Sequence, residues 1–277
     1  MSETSPSRPG HPGPGADPGS TGPGESAERG VPGRRAALVT GAASGIGRAV
    51  AERLEREGMD VLAVDLRPDP AGPGVAHEAD LTDPDANAGA VAAALERFGR
   101  LDVVVPNAGV QHVSPVDEFP LERWDAILAL LLRSPFLLAK HSWEALRQSD
   151  RARFIVIASV HGLVASPFKA AYVSAKHGVL GLVKTLALEG AAHGITATAV
   201  CPAYVRTPLV EKQIGDQARA HGLPPERVLE DVILAPHAIK ELIEPAEVAG
   251  VVAFLASPAG RAFTGAPVTM DYGWTAR

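Results

Sequence analysis

From Arg35 onward the chain alternates short apolar runs with longer stretches of helical periodicity, and this alternation restricts the fold more than any other feature. AALVT (36–40) leads into the helical GRAVAERLEREG, MDVLAVD (59–65) into DANAGAVAAALERFG, and LDVVVPNAG (101–109) into a helical region from Leu121 to about Gln148. RFIVIAS (153–159), a helix from Ala170 to Ala192, ITATAVCP (195–202), the helical EPAEVAGVVAFLAS and the short strand APVTMD (266–271) complete the series. Strands that are apolar throughout are buried on both faces, and strands separated by helices run parallel. The expected fold is α/β: a single doubly wound, Rossmann-type parallel sheet with helices on both faces. The less regular stretch from Tyr204 follows the C-terminal end of the strand ITATAVCP, where such sheets bind ligands. Residues 204 to about 242 therefore read as a substrate lid.

Ahead of Arg35 the texture differs. MSETSPSRPGHPGPGADPGSTGPGESAERGVPG is dominated by Pro, Gly and Ser and has almost no large apolar side chains. Such a segment cannot bury enough surface to offset its ordering entropy, so residues 1–34 are expected to form a disordered tail and 35–277 the catalytic domain. A net charge of −6 gives no reason to expect nucleic acid or an anionic membrane as a partner. The single Cys201 rules out an internal disulfide and fits a reducing compartment. No apolar run approaches the roughly 20 residues that span a bilayer. MSETSPSRPG lacks both the basic start and the apolar core of a secretory signal. The expectation is a cytoplasmic protein.

TGAASGIG (40–47) sits between the first strand and the first helix, where a dinucleotide-binding turn belongs. Gly41, Gly45 and Gly47 permit a tight turn and let backbone approach a pyrophosphate at a helix N-terminus. Their spacing is G-x-x-x-G-x-G rather than the commoner G-x-G-x-x-G. Asp65 ends the second strand eighteen positions after Gly47. A carboxylate there suits a ribose diol and repels a 2′-phosphate, which favours NAD over NADP, although Arg67 stands close by.

Tyr172 and Lys176 lie four positions apart, stacked one turn apart on a helix. A free phenol has a pKa of about 10, too high for a base at neutral pH, and an ammonium one turn away favours the phenolate. Ser159 follows RFIVIA, so its hydroxyl belongs at the sheet's C-terminal edge, where it can bond an oxygen that develops charge. On spacing alone the pair is an ordinary solvated helix face; joined to Ser159 and the Gly-rich turn, it reads as an acid–base site. SPFK (166–169) fits S-x-x-K without the companion motifs of serine acylation. No Cys/His spacing suits zinc, so no metal is expected.

Together these residues resemble the short-chain dehydrogenase/reductase family over essentially all of 35–277. TGAASGIG matches the family's cofactor turn, with Ser44 and Ile46 beside the glycines, and Asn107-Ala-Gly its fourth-strand motif. Asp80 and Leu81 look like its adenine-contacting pair, Thr207 like the residue bonding the nicotinamide carboxamide, and Ser159, Tyr172 and Lys176 like its catalytic set. NAGVQHVSPVDEFPLERWDAI, IASVHGLVAS, KAAYVSAKHGVLGL and TPLVEKQI narrow the resemblance to members that interconvert D-3-hydroxybutyrate and acetoacetate. That implies NAD, a homotetramer, and Gln111, His161, Lys169 and Gln213 around the substrate carboxylate. In many members the C-terminal strand and helix pack across a tetramer interface, as FTGAPVTMDYGW could do here.

The chain departs from the family at several positions. Leu131 stands where the family carries an Asn that helps hold a water linking the lysine to solvent, and a leucine makes no such bond. The resemblance therefore implies slowed turnover unless a neighbouring group replaces the amide, or in the extreme a protein that binds NAD(H) with little turnover. Pro106 replaces an Asn, Ala203 a Gly, Tyr204 a Trp and Tyr272 a Gly. A dehydrogenase or reductase for another short hydroxy acid or oxo compound is the nearest alternative.

Overall fold

The computed structural model describes residues 33–276. In chain order its strands and helices are β1 (Ala36–Thr40), α1 (Gly45–Arg56), β2 (Asp60–Asp65), β3 (Val75–Glu78), α2 (Pro84–Phe98), β4 (Val103–Val105), α3 (Leu121–Leu128) and α4 (Ser134–Gln148). They continue with β5 (Arg153–Ile157), α5 (Ala170–Gly190), β6 (Thr196–Pro202), α6 (Pro208–His221), α7 (Pro225–Val228), α8 (Pro245–Ala256) and β7 (Pro267–Met270). The seven strands form one parallel sheet in the order β3-β2-β1-β4-β5-β6-β7. The order reverses between β1 and β4, so a crevice opens at their C-terminal ends, the usual ligand site of open α/β sheets.

Each central strand is buried on both faces because alternate residues feed two cores. Leu38, Val104, Phe154 and Val156 face one side and pack with Leu138, Leu146, Val179 and Val183 of α4 and α5. Ala37, Val39, Val103, Val105, Ile155 and Ile157 face the other and pack with Val50, Leu54, Val248 and Val252 of α1 and α8. Fully burying a Leu, Val or Phe side chain is worth about 1.5–3 kcal/mol, so these two layers carry the bulk of the fold's stabilisation. Helix ends are set locally. Asp83 caps α2 ahead of Pro84 by accepting from the Asp85 N–H, and Glu244 and Glu247 form a reciprocal capping box on α8.

Several expectations need correction. The folded unit begins at Arg34, not Arg35: the Arg34 guanidinium donates to the carbonyls of Gly58 and Met59 and pairs with Asp60. The rest of the proposed tail lies outside the described residues apart from Gly33. β3 escapes the sequence reading because VAHE is an edge strand with no apolar run, held only by β2. The strand expected over 101–109 shrinks to Val103–Val105, since Pro106 has no N–H for the ladder and Asn107 turns toward β1. The helix expected from Leu121 to Gln148 is broken by a π-helical segment, Ala129–Arg133, with Leu131 at its middle. The stretch expected to form a lid is not irregular. It folds as α6, α7 and a π-helical segment, Leu229–Ile233, around a small core of Tyr204, Ala218, Val228 and Ile233.

Candidate active site

A cleft of about 750 Å³ opens at the C-terminal ends of the strands, and its walls bring together residues from widely separated parts of the chain. At one end lies the Gly-rich turn. Gly41 and Gly45 have φ of +67° and +54°, and a Cβ on Gly47 would stand 2.1 Å from the Gly41 carbonyl oxygen. Only glycine closes this turn. The α1 N-terminus it feeds is open, because Ser44 makes no side-chain cap and the first turn holds no acidic residue. Free N–H groups and the positive end of the helix dipole suit a pyrophosphate. Asn107 locks the turn from β4, with Nδ2 donating to the Thr40 carbonyl at 2.8 Å and its own N–H to Thr40 Oγ1 at 2.9 Å. Thr40 was not singled out by sequence; its hydroxyl also accepts from the Ala108 N–H.

Asp65 lines the cleft at the tip of β2, its oxygens accepting from the N–H groups of Ala43 and Arg67. The Arg67 side chain is outside the cleft lining, and Arg48 is held by Asp69 and Glu52. Asp80 and Leu81 line the same end. Asp80 accepts from both the N–H and hydroxyl of Thr82, which hold its carboxyl below the usual range. Thr207 caps α6, and a Cβ on Gly45 would meet its methyl at 3.1 Å, so α6 begins directly over the turn. These residues fit a nicotinamide dinucleotide, the group whose binding turn they match.

Ser159, Tyr172 and Lys176 meet at the centre of the cleft. Ser159 stands two residues beyond β5, Tyr172 and Lys176 one turn apart on α5, and the Lys176 ammonium donates to the Ile157 carbonyl at 2.8 Å. Burial holds the Lys176 ammonium down to about 8. It also pushes the Tyr172 phenol above its ordinary value, against the nearby Ser159 hydroxyl, which lowers it. The expectation that the neighbouring ammonium lowers the phenol is not met: burial outweighs it and the shift is upward. The ammonium is turned to Ile157, 5.5 Å from the phenol ring centre, and desolvation dominates.

The four substrate-end residues expected from sequence line the same cleft. Phe168, at φ +66°, is a non-glycine residue in the left-handed region, which costs about 1–2 kcal/mol. That turn sends Lys169 inward, 2% exposed, where its ammonium donates to the Tyr204 hydroxyl at 2.6 Å and burial lowers its pKa to about 8. Gln111 has a buried Nε2 with no hydrogen-bond partner, and Gln213 Nε2 donates to the Leu209 carbonyl. His161 lies there too, but both ring nitrogens face hydroxyls: Ser159 Oγ at 3.5 Å and Ser166 Oγ at 2.9 Å. To hold a carboxylate it would have to leave Ser166. Trp274, read from the sequence only as the end of a stretch that packs across a tetramer interface, stacks on Tyr204 and meets His161 edge-on. It comes from the far C-terminus, and no local pattern announces it. Tyr272, at φ +47°, holds a left-handed backbone conformation that glycine, the residue the family resemblance implies there, adopts without strain.

Comparison with known proteins agrees with this geometry. The family model described as enoyl-(acyl carrier protein) reductase matches residues 41–275. The D-beta-hydroxybutyrate dehydrogenase of Rhizobium meliloti is 43% identical over 88% of this chain and 99% of that protein. The protein of the same name from Cupriavidus necator is 39% identical over 88% and 98%. Among solved structures, Thermoplasma acidophilum aldohexose dehydrogenase superposes with a TM-score of 0.81 at 30% identity, over 88% of this chain and 95% of that one. With the sheet, turn and Ser–Tyr–Lys cluster in place, the chain belongs to the short-chain dehydrogenase/reductase family, as a nicotinamide-dependent dehydrogenase acting on a CH–OH group.

Proposed function

We propose that the protein uses NAD to interconvert D-3-hydroxybutyrate and acetoacetate. The observation that carries this reading is the buried Lys169 ammonium in the same cleft as Ser159 and Tyr172. A buried cation with no carboxylate partner is costly unless a ligand supplies the anion. Gln111, with its unpartnered amide, adds a neutral donor, and Gln213 a second. A short carboxylate held there would leave its hydroxyl-bearing carbon within reach of Tyr172. The names of the two relatives at 43% and 39% identity support the same substrate.

In oxidation Tyr172 takes the proton of the substrate hydroxyl, and in reduction it returns it. Ser159 donates a hydrogen bond to the substrate oxygen as negative charge gathers there. Lys176 stands one turn from the phenol and is the positive charge that would favour its ionised form on turning from the Ile157 carbonyl. When bound, the nicotinamide supplies the hydride acceptor or donor. Asp65, with Arg48 paired elsewhere, supports NAD over NADP.

A homotetramer is part of the proposal. Phe254 and Phe263 pack edge-to-face beside the edge strand β7 while 42% and 37% exposed, as expected of a face that a second copy covers. A cytoplasmic site is proposed as well; among the described residues no helix is long and apolar enough to cross a membrane. The engagement of His161 favours a second reading, a different short hydroxy acid that needs fewer donors. A low-turnover NAD(H)-binding protein is a third, resting on Leu131 alone. Following NADH absorbance across a panel of short hydroxy acids tests the proposal. 3-Hydroxybutyrate should give the highest kcat/KM, and a clear preference for another acid would move the assignment to it.

A further inference from the structure

β6 ends at Pro202, and two residues later the chain carries a tyrosine where the family resemblance implies a tryptophan. Tyr204 is 8% exposed and lines the same cleft as Lys169, Gln111 and Gln213. Its ring is held by other rings: it stacks on Trp274 at 5.8 Å between centroids, meets His161 edge-on and lies tilted against His237. The hydroxyl is fixed with it, and accepts from the Lys169 ammonium at 2.6 Å. A phenol has acceptor lone pairs and one proton to donate. Lys169 fills an acceptor position, so the phenolic proton is left over, and among the described residues no group accepts it. An indole N–H could donate but could not accept from Lys169, so this pairing is particular to a tyrosine.

We propose that Tyr204 is a specificity-determining residue whose hydroxyl donates a hydrogen bond to the substrate carboxylate beside Lys169. This rests on the reading that the substrate is a short hydroxy acid. Lys169 Nζ and Tyr204 Oη stand close enough for the two oxygens of one carboxylate to take a bond from each. The ammonium keeps further protons for that bond while it holds the phenol in place. A hydroxyl that accepts from a cation is polarised toward donating, which strengthens its bond to an anion.

The surroundings keep the phenol a donor. Burial pushes the Tyr204 phenol well above its ordinary value, and Tyr172 nearby adds to this, so the proton stays on at neutral pH. A phenolate there would pair with Lys169 and shut the acid out. An uncharged alcohol leaves both Lys169 and Tyr204 without an acceptor in a buried pocket, and a site built of donors discriminates against such a ligand.

Tyr204→Phe removes the hydroxyl and keeps the ring. kcat/KM for 3-hydroxybutyrate should fall about tenfold or more, mainly through KM, and the Ki of butyrate as a competitive inhibitor should rise by the same factor. 2-Butanol should lose far less. Because this change also leaves the Lys169 ammonium without its partner, it is repeated in Lys169→Met, which has no ammonium to leave unpaired. There the loss of the hydroxyl should still raise the butyrate Ki about fivefold or more. An unchanged Ki in that background would overturn the proposal, since the hydroxyl would then serve only to hold Lys169. Equal losses on 3-hydroxybutyrate and 2-butanol would overturn it as well, and so would tighter butyrate binding by Tyr204→Phe, which would make Tyr204 a competitor for Lys169. A wild type that neither oxidises 3-hydroxybutyrate nor is inhibited by butyrate would overturn the hydroxy-acid reading and the proposal with it. If wild type binds butyrate, the variants judge Tyr204 alone.

Discussion

Replacing Lys169 with Met should make the protein more stable and, for carboxylate substrates, a poorer enzyme. The ammonium is 2% exposed and its pKa is lowered by burial from 10.5 to about 8. At about 1.4 kcal/mol per pKa unit, that places roughly 3 kcal/mol of strain on the charged form at pH 7. The folded state thus releases this proton more readily than the unfolded chain. Between pH 8 and 10.5 the unfolded chain binds the proton that the folded chain has lost, so this lysine makes stability rise with pH in that window and imposes its full penalty below it. Losing the bond to Tyr204 returns about 1 kcal/mol of the gain. The net expectation is a variant about 2 kcal/mol more stable at pH 7, or a Tm higher by about 4–8 °C at roughly 2–4 °C per kcal/mol. For hydroxybutyrate, losing a charge-assisted bond in a closed site removes about 1.5–3 kcal/mol, a tenfold or greater fall in kcat/KM. An uncharged analogue such as 2-butanol should lose far less. Thermal melts and initial rates on both substrates decide it. Equal losses for the two alcohols, or a variant destabilised by several kcal/mol, would mean that Lys169 supports the fold or the cofactor end instead.

Two further outcomes follow from the cofactor turn and from the π-helical segment. Asp65 should give a strong preference for NAD in kcat/KM, and equal use of NADP would refute its assignment to the ribose diol. Leu131→Asn should lower stability by about 1–3 kcal/mol, because it buries an amide among Ile127, Ala171 and Ala175, and should leave kcat no higher than wild type. A tenfold rise in kcat would show instead that the amide completes a proton path past Lys176.

The parts of the fold legible in the sequence are those where one physical demand dominates. RFIVIAS and ITATAVCP had to be strands because a run apolar on both faces has few other homes, and Gly47 had to be glycine because the Gly41 carbonyl occupies its Cβ position. β3 was not legible, since VAHE is exposed and its pairing comes from β2, not from its own side chains. In the site, Tyr172 and Lys176 are announced by helical spacing only when read together with the Gly-rich turn and with Ser159, which its place beyond a strand marks. Ser166 and Trp274 are not, because their contacts with His161 are made through tertiary geometry alone. The direction of the Tyr172 shift was misjudged for the same reason. Spacing shows that an ammonium is one turn away but not that it points to Ile157 while the phenol is desolvated.

The most direct test is the rate of NADH formation from NAD and D-3-hydroxybutyrate by wild type and by Tyr172→Phe, with NADH binding measured on both. Wild type should turn over, and the variant should bind NADH normally while losing about 10²–10⁴-fold in kcat. A Tyr172→Phe enzyme as fast as wild type, or a wild type that binds NADH and leaves D-3-hydroxybutyrate untouched, would contradict the account.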